Sequence, residues 1–177
     1  MDDSTSDRAG HGAIDLEPRR RPVQQRSRER FERILDSTRS LLMETGIEGL
    51  SCEAIAVAAE VPVGTVYHFF PNKFSILCEL DRRDTDSVVV ELDAFGAQIP
   101  SLVWRDLVCA LVDHLAREWS ADPSRRAVWL SMQATPATRE ASTDHQRILG
   151  DRVARFIAPL TPGMHRTTRT TIAMVVV

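Results

Sequence analysis

Apolar residues along this chain return at intervals of three and four, the period of a helix buried on one face. Over about residues 23–45 the apolar positions are Phe31, Ile34, Leu35, Thr38, Leu41 and Leu42, and Gly46 is placed to stop that helix. Ser51 is a ready N-cap for a second helix over about 52–59, with Glu53 in the first turn, where a negative charge suits the helix dipole. Cys52, Ile55, Ala56 and Ala59 form its inner face. After the short turn Glu60-Val61, a third helix runs over about 62–69, Pro62 standing near N1, where its missing N–H costs nothing. Asn72 caps a fourth, longer helix over about 73–95.

Beyond Gly96 and Pro100 the pattern resumes. Leu102, Val103, Leu107, Val108, Leu111, Val112, Leu115 and Trp119 predict a strongly apolar helix over about 101–120. Asp122-Pro123 opens another over 123–134, and Pro136 opens a long one over 137–158, ended by Pro159. The segment from Met164 to Val177 reads as a last helix despite its β-branched residues. Strand alternation and hairpin turns appear nowhere before that tail, so the fold class is all-α. Two short helices around a tight turn at 51–69 form a helix-turn-helix, an element that reads DNA. The expected division is a disordered tail over 1–21, a helix-turn-helix domain over 22–72, and a second helical domain over 73–177.

Charge sharpens this picture. The chain carries −3 overall, so it is not a basic nucleic-acid protein as a whole. Residues 1–18 hold five acids against one arginine, and residues 19–83 hold eleven basic residues against nine acids. The positive excess therefore lies with the helix-turn-helix, concentrated in Arg19, Arg20, Arg21, Arg26, Arg28 and Arg30. Such a run is equally a solvated helix face. Cys52, Cys78 and Cys109 are scattered and odd in number, which argues against a disulfide framework or a zinc site. They read as small buried residues in a reducing compartment. The first residues do not form a signal peptide, and the apolar run Ile172 to Val177 is far too short to span a bilayer. The five histidines are isolated, and neither phosphate-loop nor metal-binding spacings occur. Catalytic residues, metal and cofactors are not expected, nor is an enzyme, because no nucleophile–base set is visible.

A reading helix must turn small or polar side chains to the major groove while its other face packs. The third helix offers Val63, Thr65 and His68 outward and Val66 with Phe69 or Phe70 inward. Gly64 admits close approach of a phosphate, Thr65 can bond a base edge, and Val63 can touch a thymine methyl. Tyr67, Lys73 and Ser51 suit phosphate contacts, the last two lying at helix starts.

Over about residues 25–78 the chain resembles the tetracycline-repressor family of bacterial transcription regulators. The resemblance rests on Arg33-Ile34-Leu35, Gly46, Ser51, Ile55-Ala56, Ala59, Val61, Gly64-Thr65-Val66-Tyr67, Phe70-Pro71-Asn72-Lys73 and Leu77. It implies a three-helix DNA-binding domain, a helical ligand-binding and dimerising domain, and release from operator DNA when a small molecule binds. Carried over by position, Ser51, Thr65, Tyr67, His68 and Lys73 match places that touch DNA in the family. There are departures. Glu60 stands where the family has a turn glycine, at a cost on the order of 1 kcal/mol if φ is positive there. Pro62 replaces a common serine, and Val63 a common polar residue.

The implied partners are double-stranded operator DNA, a small-molecule effector and a second copy of the chain, in a bacterial cytoplasm without membrane association. The effector is expected to be largely apolar and to meet Trp104, Leu111, His114, Trp129 and Met132, although aromatics at helical spacing are more often core. The dimer is expected to use the 137–158 helix and the tail. Family members usually continue into one more helix, so either that helix is missing here or the sequence is a fragment. The competing reading is an all-α binding module that keeps the fold and has lost operator binding, and Glu60 and Pro62 favour it.

Overall fold

The structure is a computed structural model that describes residues 14–97 and 104–176. Eight α-helices occur among them: α1 Gln25–Thr45, α2 Cys52–Ala58, α3 Val63–Phe69, α4 Lys73–Ala97, α5 Trp104–Ala121, α6 Pro123–Met132, α7 Pro136–Ile157 and α8 Arg166–Val176, with a 3-10 turn at Ala158–Leu160. No strand occurs among the described residues.

The helix ends follow local chemistry. Ser51 Oγ accepts the backbone N–H of Ala54, and Asn72 Oδ1 accepts that of Ser75, so both expected caps form. Asp122 and Thr135 cap α6 and α7, each followed by proline at N1. Gly46 takes a positive φ of 66° at the end of α1. Gly96 serves a different purpose: a Cβ there would lie 2.2 Å from the Phe156 ring, so its bare backbone is what lets α4 meet α7.

The N-terminal core is aromatic and closed. Phe31 stacks on Phe70 at 4.8 Å between ring centroids and meets Phe69 edge-on at 5.3 Å. Ile34, Leu35, Leu50, Ile55 and Val66 fill the space around them. This core does not stop at residue 72. Ile76, Leu77 and Leu80 of α4 belong to it, as do Val128 and Met132 of α6. The expected boundary is therefore corrected: α4 is shared, its first half in the N-terminal core and its second half, at Leu92, in a smaller cluster with Leu111, Val153, Ala154 and Ala173.

Residues 14–21, expected to be part of a disordered tail, lie against the helix-turn-helix instead; residues 1–13 of that tail lie outside the described residues. Leu16 packs on the core, Arg19 donates its backbone N–H to the Phe69 carbonyl and its guanidinium to that of Tyr67, and Asn72 donates to the Asp15 carbonyl. Arg21 closes the strap on Glu79 at 3.1 Å. Glu79 is buried and also receives Arg82 at 2.8 Å and Arg83 at 3.1 Å. Burial alone would raise the Glu79 carboxyl, but the hydrogen bonds from Arg82 and Arg83 and the charge of Arg21 outweigh it and hold the group below the ordinary glutamate range.

Cys52 and Cys78 are buried as expected, and burial pushes the Cys78 thiol up to about 12. Cys109 is exposed, which corrects the reading of all three as core residues. No described helix is long and apolar enough to cross a membrane.

Candidate nucleic-acid interface and effector cavity

The short α3 is held by Val66 and Phe69, which point into the core, so the opposite face is left for solvent. On that face Val63, Gly64, Tyr67 and His68 are exposed and Thr65 is half-buried. A Cβ at Gly64 would meet nothing within 4 Å, so the backbone there is open to a large partner. Gly64, Thr65 and His68 share a shallow groove with Ser27 and Arg30 of α1. Arg30 thus brings a cation beside α3, without an ion-pair partner among the described residues. The signal for it was the arginine run, which spacing alone cannot distinguish from a solvated face.

The turn before α3 explains the departure at residue 60. Glu60 adopts φ 52°, the left-handed region that favours glycine, and the chain accepts it because Ala59 and Val61 on either side are tied back to Ile55 and Ala56 carbonyls. Pro62 sits at the N-cap of α3 rather than at N1, and the cap has no side-chain hydrogen bond.

Three expected phosphate partners have different surroundings. Ser51 uses its hydroxyl as the α2 cap. Tyr67 donates its hydroxyl to Glu53 at 3.0 Å, an exposed pair on the rim of α2 and α3. Lys73, expected at a phosphate, turns its ammonium inward to the carbonyls of Ile47 at 3.0 Å and Leu50 at 2.9 Å. Two of its three protons hold the loop between α1 and α2, so in this structure the Lys73 ammonium is engaged by backbone carbonyls.

Among the described residues, α4, α5, α6 and α7 line a half-open cavity of about 340 Å³. That is the small end of the range of about 300–1,000 Å³ for ligand pockets. One side is apolar: Val112, Leu115 and Trp119 of α5, with Trp129 of α6 edge-on to Trp119 at 6.1 Å between centroids. The other side, from α4 and α7, carries Asp81, Asp84, Ser142 and His145. His145 Nδ1 lies 2.5 Å from Asp81 Oδ2.

Of the five residues expected to meet an effector, Trp129 lines this cavity. Met132 is fully buried in the N-terminal core and Leu111 in the smaller cluster, because each faces a neighbouring helix rather than the space between helices. His114 stacks on Phe95 at 5.1 Å away from the cavity lining. The Trp104 side chain lies outside the described residues. The polar side of the cavity was missed because Asp81, Asp84, Ser142 and His145 are brought together from two helices about sixty residues apart, with no shared spacing to announce them.

Two family models divide the chain. Residues 34–80 match "Bacterial regulatory proteins, tetR family", and residues 102–177 match "Tetracyclin repressor-like, C-terminal domain". The chain belongs to the tetracycline-repressor family. Among its relatives, the HTH-type transcriptional repressor KstR of Rhodococcus jostii is 28% identical over 127 residues, which is 71% of this chain and 58% of that protein. KstR of Mycolicibacterium smegmatis is 36% identical over 66 residues, 37% of this chain and 32% of that one. The chain thus spans less than two thirds of the length of these curated relatives. The transcriptional regulator FadR from Bacillus subtilis, solved in complex with stearoyl-CoA, superimposes with a TM-score of 0.69 at 15% identity, covering 82% of this chain and 81% of that one. That likeness is one of fold.

Proposed function

We propose that this chain is a DNA-binding transcriptional regulator of the repressor type, released from a palindromic operator by a small, largely apolar effector. One observation carries the reading. The helices that wall the cavity, α4 and α6, also bury Ile76, Leu77, Leu80, Val128 and Met132 in the core that seats the reading helix. A ligand that favours one arrangement of α4 and α6 therefore acts on the DNA-binding unit in proportion to its differential affinity. Val63, Gly64, Thr65 and His68 would face the groove, and Arg30 and Ser27 would flank them at the phosphates. Ser51 and Tyr67 would act at the rim of that interface.

The protein works as a homodimer in the bacterial cytoplasm, without enzymatic activity. Ile148 of α7 and Ile172 of α8 are large apolar side chains left about 49% and 38% exposed, which supports a partner on that face. The reading as a binding module that has lost its operator leaned on Glu60 and Pro62; the turn absorbs Glu60 without losing its backbone ties, while Pro62 leaves the α3 cap without a side-chain hydrogen bond.

The test is a mobility-shift titration of the protein's own upstream DNA at rising salt. Arg30→Ala is expected to weaken binding to all sequences and to lower the salt slope by about one unit, as for a phosphate contact. Thr65→Ala and His68→Ala are expected to change base preference instead. Equal affinity for upstream and random DNA at low salt would overturn the operator reading in favour of the binding module.

A further inference from the structure

The two sides of the cavity ask for different things of a ligand. The helices α4 and α7 run the same way past each other, as the pairs Asp81–His145 and Asp93–Arg152 and the Gly96–Phe156 contact show. Along that wall Asp84 lies one turn beyond the Asp81–His145 pair and Ser142 one turn before it. Asp84 spends one oxygen on the Arg39 guanidinium, which also donates to Ser124 at 3.1 Å. Its other oxygen is shielded from solvent and has no partner among the described residues, and the same holds for the Ser142 hydroxyl, in a residue only 1% exposed. Unpaired buried acceptors are the costliest atoms a wall can carry, and a ligand donor removes that cost.

The cations are already taken. Arg125 is held by Glu91 at 3.0 Å, by the Ser87 hydroxyl and by Asp122; Arg39 is held by Asp84; and His145 faces Asp81. Glu118 adds a further acid to the lining. An incoming carboxylate would meet Asp81, Asp84 and Glu118, and among the described lining residues each cation is already paired with an acid. Burial holds the Asp84 carboxyl above the ordinary aspartate range against the opposing pull of Arg39, in keeping with a group short of donors. Facing this wall, the edge-on Trp119 and Trp129 favour a flat apolar body and tolerate a cation near their rings.

We propose that the cavity takes a compact, apolar, ring-bodied ligand whose polar end is a hydrogen-bond donor, an ammonium or a hydroxyl, seated on Asp84, and that it rejects carboxylates. The proposal rests on the cavity being the effector site. It also names the route of release. A donor on the second oxygen of Asp84 shares that carboxylate with Arg39 and weakens its hold, and Arg39 is one of the side chains by which α1 reaches α4 and α6.

The experiment uses four probes with one body and different heads: naphthylmethylamine, naphthylmethanol, methylnaphthalene and naphthoic acid, titrated into the full chain by calorimetry. The amine and the alcohol are expected to bind at least about tenfold more tightly than methylnaphthalene, the gain of a hydrogen bond to a charged acceptor, and the acid more weakly than methylnaphthalene. In Asp84→Asn the amine should lose its advantage while methylnaphthalene binds as before, which also reports that the variant is folded. Should that variant fail to fold, Ser142→Ala, which removes no ion pair, and the ranking in the unmodified chain decide. Equal affinity for all four probes, tightest binding of the acid, or an amine advantage that survives Asp84→Asn would overturn the donor assignment and leave the cavity reading intact. Failure of every probe to bind would remove the cavity reading and this proposal together.

Discussion

The two halves of the molecule solve opposite problems with the same element. Around α1, α2 and α3 the space between helices is filled by Phe31, Phe69, Phe70, Ile34 and Leu50, all almost fully buried. Between α4, α5, α7 and α8 the buried cluster is Leu92, Leu111, Val153, Ala154 and Ala173, and beside it α4, α5, α6 and α7 line a cavity of about 340 Å³ with acids and a histidine in its wall. A closed aromatic core holds an external surface rigid, which a DNA reader needs. A loosely closed bundle keeps free volume that a ligand can occupy. The difference teaches that stability and responsiveness are placed in separate regions and joined through α4 and α6.

The sharpest way to break this contrast is to hollow out each core. Phe31→Ala removes both aromatic pairs at once and is expected to cost about 3–5 kcal/mol, the range for a buried phenylalanine. Leu111→Ala, beside the cavity, is expected to cost less, about 2–3 kcal/mol, because neighbours there have room to relax. Denaturant unfolding of both variants followed by circular dichroism checks the order; equal losses would erase the distinction.

A smaller effect is expected at the charge cluster that ties the N-terminal strap to α4. Glu79→Gln should cost about 2–3 kcal/mol, less than a fully buried ion pair because Arg21, Arg82 and Arg83 can rehydrate. The sign of its pH dependence follows from the lowered carboxyl. The contribution of Glu79 is complete above the ordinary glutamate value near 4.5 and is lost as pH falls through the lower folded-state value. Thermal melts from pH 7 to pH 3 should therefore converge for the two proteins at the acid end. A gap that widens on acidification would contradict the assignment.

Lys73→Met comes next, with an expected loss of about 1–2 kcal/mol as the Ile47 and Leu50 carbonyls lose their donor. Hydrogen exchange should quicken in residues 46–51 while α5 and α7 are unchanged. If stability holds and only DNA affinity falls, Lys73 is a phosphate contact after all. Least of all, Glu60→Gly is expected to stabilise by about 0.5 kcal/mol, the relief at φ 52° being partly offset by the greater freedom of glycine in the unfolded chain. A destabilising Glu60→Gly in the same unfolding assay would mean that the turn is not strained.

Much of the architecture was legible because it is written locally. The period of Phe31, Ile34, Leu35 and Thr38, the caps Ser51 and Asn72, and the stops at Gly46 and Pro159 each act within about one helical turn. They delimited the helices to within a few residues and exposed the helix-turn-helix with its outward Val63, Gly64, Thr65 and His68. The cavity was legible only in outline. Trp129 reached the cavity, while Leu111 and Met132 did not, because helical periodicity tells which face is apolar and not which neighbour that face meets.

The chain by itself therefore determined the eight helices and, within a few residues, their ends, since those depend on hydrogen bonds and side-chain periods spanning a few residues. Only the tertiary structure decided that Arg21 closes on Glu79, that Arg39 reaches Asp84 and Ser124, and that Asp81 meets His145. These partners stand 45 to 85 residues apart. Such pairs form where packed segments happen to meet, and nothing in the spacing of either segment encodes the meeting.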